Sequence, residues 1–127
     1  MTETTVLALY GLLVLVTILL QVLGAMQSLS LGYLLSARDE PREAGRMARR
    51  IGRALDNSIV ALALFAPAVL LVAVLERSSP ATLLAAQVFL LSRLVYLVAY
   101  ALGVPALRSL VWLAGYAATA VLYVAAL

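Results

Sequence analysis

Long uncharged runs separated by short polar interruptions dominate the chain. Thr4 to Ala37, Asn57 to Leu75 and Ser109 to Leu127 carry no charged side chain, and each is near or above the roughly 18 apolar residues that a bilayer-spanning helix needs. A fourth run, about Ala81 to Leu102, is interrupted only by Arg93. The pattern predicts four membrane helices at about residues 5–35, 54–75, 81–102 and 106–126, joined by a basic loop at 36–53 and two short turns. The expected fold is all-α: an integral membrane four-helix bundle forming a single transmembrane domain over residues 1–127.

Local signals sharpen these elements. Ser79 and Pro80 read as the cap and first residue of the third helix, because proline at that position has no amide hydrogen to lose and its φ is already helical. Pro67 should kink the second helix, which neighbouring helices in a bundle can tolerate. The loop opens as a turn through Arg38-Asp39-Glu40-Pro41, and from Arg46 to Arg53 it is helix-compatible and runs into the second span. The first run is much longer than a signal-peptide core and reads as a retained helix. Thr17, Gln21, Gly24, Ser28 and Gly32 form a small and polar stripe along it, a seam for close helix packing.

Composition agrees with a membrane protein: 65% of the 127 residues are hydrophobic and 12% charged, with mean hydropathy +1.10. Without cysteine or histidine there is no disulfide, thiol nucleophile, imidazole base or Cys/His metal site. Any reactive sulfur must therefore come with a substrate, and no metal or nucleic-acid partner is expected. All the basic residues are arginines, and Arg38, Arg42, Arg46, Arg49, Arg50 and Arg53 crowd the first loop. The positive-inside rule places that loop in the cytoplasm and both termini on the outer side, most simply in a bacterial inner membrane.

The chemistry is concentrated on the third span. Arg93, Tyr96 and Tyr100, spaced by three and four residues, share one helix face, and Arg108 waits where the chain re-enters the membrane. Arg93 sits about nine residues from the inner end of its helix, hence roughly 13 Å deep at about 1.5 Å per residue. At that depth a guanidinium needs a carboxylate, helix carbonyls, water or a bound anion. Asp56 is the acidic residue nearest the right end, so an ion pair, a carbonyl-capped arginine and a ligand-facing arginine all remain open. Trp112 and Tyr123, near opposite ends of the fourth span, suit interfacial anchoring.

These residues carry a family resemblance. Gly45-Arg46 followed by Arg53-Ala54-Leu55-Asp56-Asn57, then Arg93-Leu-Val-Tyr96-Leu-Val-Ala-Tyr100 followed by Arg108-Ser109, resemble in order and topology the signatures of the MAPEG family, membrane-associated proteins of eicosanoid and glutathione metabolism. The resemblance implies a homotrimer with glutathione bound between subunits near the cytoplasmic side, and a transferase or peroxidase acting on lipophilic electrophiles. It also implies roles: Arg53 and Asn57 hold the peptide's polar groups, Arg93 and Tyr96 line the pocket floor, Tyr100 contacts the cysteinyl region, Arg108 activates the sulfur and Ser109 sits beside it, with Arg38 as a looser candidate. A fixed guanidinium would favour the thiolate, the attacking form of a thiol, and arginines also suit glutathione's carboxylates.

One departure bears on function. Glutathione-binding members place a glutamate three residues after the helix-two asparagine, where this chain has Val60. The alternative it raises is a non-catalytic scaffold of the same fold that binds a lipid or other anion, for instance a fatty acid held by its carboxylate at Arg93 and Arg53. A small four-helix exporter is a further alternative of compatible size, although the first helix lacks the membrane-embedded carboxylate that proton-coupled export requires.

Overall fold

The computed structural model describes residues 1–27, 29–37 and 45–127. Ser28 of the packing seam, and Arg38 and Arg42 of the basic loop, lie outside the described residues. The described elements are all helical: α1 (Glu3–Met26), α2 (Leu31–Leu35), α3 (Arg46–Val74), α4 (Pro80–Leu102) and α5 (Pro105–Ala126). Four of them are long and apolar enough to cross a membrane. The shortest, α5, has 22 residues, about 33 Å at 1.5 Å per residue, which matches a hydrocarbon core of about 30 Å.

The first element differs from its expected span at 5–35. It stops at Met26, and the separate single-turn α2 follows. The Ser30 hydroxyl accepts from the Tyr33 amide at 3.2 Å and starts α2 as a new helix. An uncharged run can thus contain a helix boundary that hydropathy does not register. The second span starts earlier than 54, since α3 begins at Arg46 and continues through Pro67 to Val74. Ser79 and Pro80 open α4 as expected, with Ser79 and Thr82 closing a reciprocal capping box. The α4–α5 turn passes through Gly103 at φ 74°, a left-handed conformation that suits glycine. Arg50 Nη1 donates to the Ala101 carbonyl at 3.2 Å, satisfying an acceptor in the last turn of α4.

Alanines, valines and aromatic rings fill most of the interior, while many of the large aliphatics lie on the outside, as in a bundle surrounded by lipid. Phe65 and Phe89 stack at 3.8 Å between ring centroids, and Tyr10 meets them edge-on at 6.1 and 4.9 Å. Val6, Val69, Val72 and Leu122 complete this core, while Leu12, Leu15, Leu84, Leu91 and Leu110 face outward. The α1 seam is used within the chain: Thr17 is buried, Gly24 lies against Ala48 of α3, and Gln21 approaches Gly52. Across the bundle, Gly115 lets α5 approach α4 so closely that a Cβ there would lie 2.8 Å from Ser92 Oγ.

At the end of the bundle away from Arg46, Glu3 is buried at 5% exposure. Its carboxylate accepts from the Ser78 hydroxyl at 2.7 Å and from the Thr82 hydroxyl. These bonds tie the start of α1 to the turn before α4 and satisfy a charge that hydropathy alone gave no reason to expect inside.

Candidate functional site

Helical spacing brings the polar residues of three helices to one region. Arg53, Asn57 and Val60 succeed one another by four and three residues on α3, Tyr96 and Tyr100 by four on α4, and Arg108 and Trp112 by four on α5. Two neighbouring cavities result. The smaller, about 330 Å³, is lined by Asn57, Tyr96, Tyr100, Arg108, Ser109 and Trp112. The larger, about 460 Å³, runs from Asn57 and Arg93 along Val60, Leu64, Tyr116 and Tyr123 and is largely apolar. Asn57 and Trp112 line both.

Around the smaller cavity the cations converge on one phenol. Arg53 Nε donates to the Tyr100 hydroxyl at 3.1 Å. The guanidinium carbons of Arg53 and Arg108 lie 5.9 and 5.0 Å from the Tyr100 ring centroid, within the range of cation–π attraction. Tyr96 and Tyr100 pack at 5.7 Å between centroids. Two guanidinium groups meet at one ring, and the N-terminal end of α5 adds positive potential beside them. The donor set fits carboxylates and other oxyanions.

Arg93 is placed differently. It is 3% exposed, its Nη2 donates to Asn57 Oδ1 at 2.9 Å and to Ser58 Oγ at 3.3 Å, and its guanidinium carbon lies 4.2 Å from the Tyr96 ring centroid. Asp56, the acidic residue nearest in sequence, is exposed on α3 and is not its partner. Asp56 lies about 100° around the helix from Asn57, so only one of the two can face α4, and Asn57 does. Gly115 lies beside the arginine stem, its Cβ position an ordinary 3.7 Å from Arg93 Cδ. Among the described residues Arg93 Nε has no hydrogen-bond partner, so the neutral groups described around this buried cation do not use all of its donors.

Six of the residues singled out from sequence thus meet around the smaller cavity: Asn57, Tyr96, Tyr100, Arg108 and Ser109 in its wall and Arg53 on Tyr100. Arg93 stands behind Asn57 and borders the larger cavity, and Arg38 lies outside the described residues. Val60 is 59% exposed and contributes an apolar wall to the larger cavity three residues from Asn57.

The larger cavity has no counterpart in the sequence reading. Trp112, read from sequence as an interfacial residue, stacks on Tyr116 at 5.6 Å and lines both cavities. Tyr123, expected as an anchor, donates its hydroxyl to the Leu64 carbonyl at 2.7 Å and ties α5 to α3. The available signal was Gly115 beside Tyr116, a small residue that opens space next to an aromatic one. Among the described residues no group of His, Cys, Asp and Glu could hold a metal ion.

Comparison with known proteins adds the family. Neither a curated protein nor a solved structure matches the chain. The model of the MAPEG family matches residues 5–127, nearly the whole length. With four membrane-crossing helices and this match, the chain is an integral membrane protein that belongs to the MAPEG family.

Proposed function

We propose that the smaller cavity binds glutathione and that the protein joins its sulfur to lipophilic electrophiles held in the larger cavity. The observation that carries this reading is the adjacency of the two spaces: one collects Arg53, Tyr100 and Arg108, the other is apolar, and Asn57 and Trp112 form their common wall. Glutathione would supply a thiol that attacks as its thiolate. Arg108 would stabilise the sulfur anion, and the low dielectric around it strengthens that effect. Arg53 and Asn57 would hold a carboxylate, and Tyr100, fixed by Arg53, would orient the cysteinyl segment. With chlorodinitrobenzene as electrophile, the carbon–sulfur bond forms as chloride leaves, and the thiol proton passes to solvent.

The same proposal includes a homotrimer with the arginine-rich end of the bundle in the cytoplasm. Arg53 and Ser109 are exposed on the protomer, which suits a site closed by a neighbouring subunit, and the arginine bias supports the orientation. Val60 favours a second reading, a non-catalytic scaffold that binds an anionic lipid. An aliphatic wall gives no partner to the ammonium of glutathione.

Turnover of chlorodinitrobenzene by detergent-purified protein separates the two. The catalytic reading expects conjugation that saturates with glutathione and falls at least about tenfold in Arg108→Ala. Absence of conjugation at every glutathione concentration contradicts it. Should Val60→Glu then create glutathione binding that the parent lacks, the scaffold reading stands.

A further inference from the structure

We infer that Arg93 is a positioning residue: it turns the Asn57 amide so that its NH2 group faces the boundary of the two cavities and makes that boundary a seat for carboxylates. Arginine has donors and no acceptor. The Asn57 atom 2.9 Å from Arg93 Nη2 is therefore its carbonyl oxygen, and the amide nitrogen is turned the other way. Asn57 lines both cavities, so the two hydrogens of that nitrogen are the groups it offers to a ligand.

Two further side chains, in the wall of the smaller cavity, have the same polarity. The Tyr100 oxygen already accepts from Arg53 Nε at 3.1 Å, which leaves its O–H to donate, and Arg108 has only donors. A carboxylate satisfies all three groups, whereas an ammonium satisfies none. Arg93 borders the larger cavity, but it is 3% exposed, lies against the Tyr96 ring, and spends Nη2 on Asn57 and Ser58. Its route to a ligand seated at the boundary therefore runs through Asn57, even though its Nε is unpartnered among the described residues. The inference adds the selecting group to the glutathione reading, and it applies equally to the carboxylate of a long-chain fatty acid.

The test is a double-mutant cycle on the full-length protein in detergent, with glutathione and laurate as separate probes. In the parent background Arg93→Gln, whose amide can pair with Asn57 in either orientation, should weaken the probe that binds by about tenfold. In an Asn57→Ala background the same change should have little effect, because the group it acts through is gone. Arg93→Lys, still a pure donor, should keep affinity within about threefold of the parent and so guards against loss by misfolding. Equal losses in both backgrounds would show Arg93 acting directly by its charge and would overturn the inference. So would unchanged affinity in Arg93→Gln, or failure of both probes to bind the parent. Binding of laurate alone, with the predicted coupling, would retire glutathione and leave the role of Arg93 intact.

Discussion

Arg53 Nε donates to the hydroxyl of Tyr100 at 3.1 Å, across the gap between α3 and α4. This bond fixes a phenol in the wall of the smaller cavity and leaves its hydrogen for a ligand. Tyr100→Phe removes that donor and keeps the ring beside Arg108. Affinity for an anionic ligand should fall about fivefold, roughly 1 kcal/mol, the worth of one hydrogen bond. Titration of the variant beside the parent checks this, and equal affinities would mean that the hydroxyl faces no ligand.

The close approach of α5 to α4 at Gly115 predicts a coupled stability effect. Ser92 Oγ donates to the Phe89 carbonyl at 2.7 Å, so it cannot move from a new methyl group without breaking that bond. Gly115→Ala should destabilise the bundle by about 1–3 kcal/mol. Adding Ser92→Ala should recover part of the loss, which thermal unfolding of the three variants in detergent would register. Strict additivity would contradict the packing described here.

The buried carboxylate of Glu3 predicts a different sensitivity. Its acceptors are shared by Ser78 and Thr82, and Glu3→Gln keeps the shape while replacing charge-assisted bonds by neutral ones. A loss of about 1–2 kcal/mol is expected. The same substitution should cost much less in a Ser78→Ala, Thr82→Val background, where those hydroxyls are absent. A melting temperature unaffected by Glu3→Gln would show that the cluster does not hold α1 to the turn before α4.

Legibility of the chain followed the physics of each signal. Hydropathy registers the transfer of whole segments, so it located four spans and the lone Arg93 within the third. It does not register a break between two uncharged helices, which is why the boundary after Met26 was hidden in a continuous run and only Ser30 hinted at it. Helical spacing placed Arg53 with Asn57 and Tyr96 with Tyr100, because residues four apart share a face wherever the helix lies. Spacing says nothing of partners on another helix, so Asp56 stayed open as a partner of Arg93, and Asn57 went unconsidered, until the rotation of α3 was known. The larger cavity was illegible for a related reason: Trp112, Tyr116 and Tyr123 look the same in sequence whether they face lipid or enclose a space. Glu3 was overlooked because a charge beside a chain terminus is ordinarily solvated, and its partners lie more than seventy residues away.

The central claim is that the convergence of Arg53, Tyr100 and Arg108 is a binding site for glutathione, and equilibrium calorimetry of glutathione with the detergent-purified protein, parent beside Arg108→Ala, tests it most directly. The account predicts saturable binding to the parent and at least about tenfold weaker binding to the variant, a difference of about 1.4 kcal/mol. Saturable binding of equal strength to both proteins, or no binding to the parent, would contradict it.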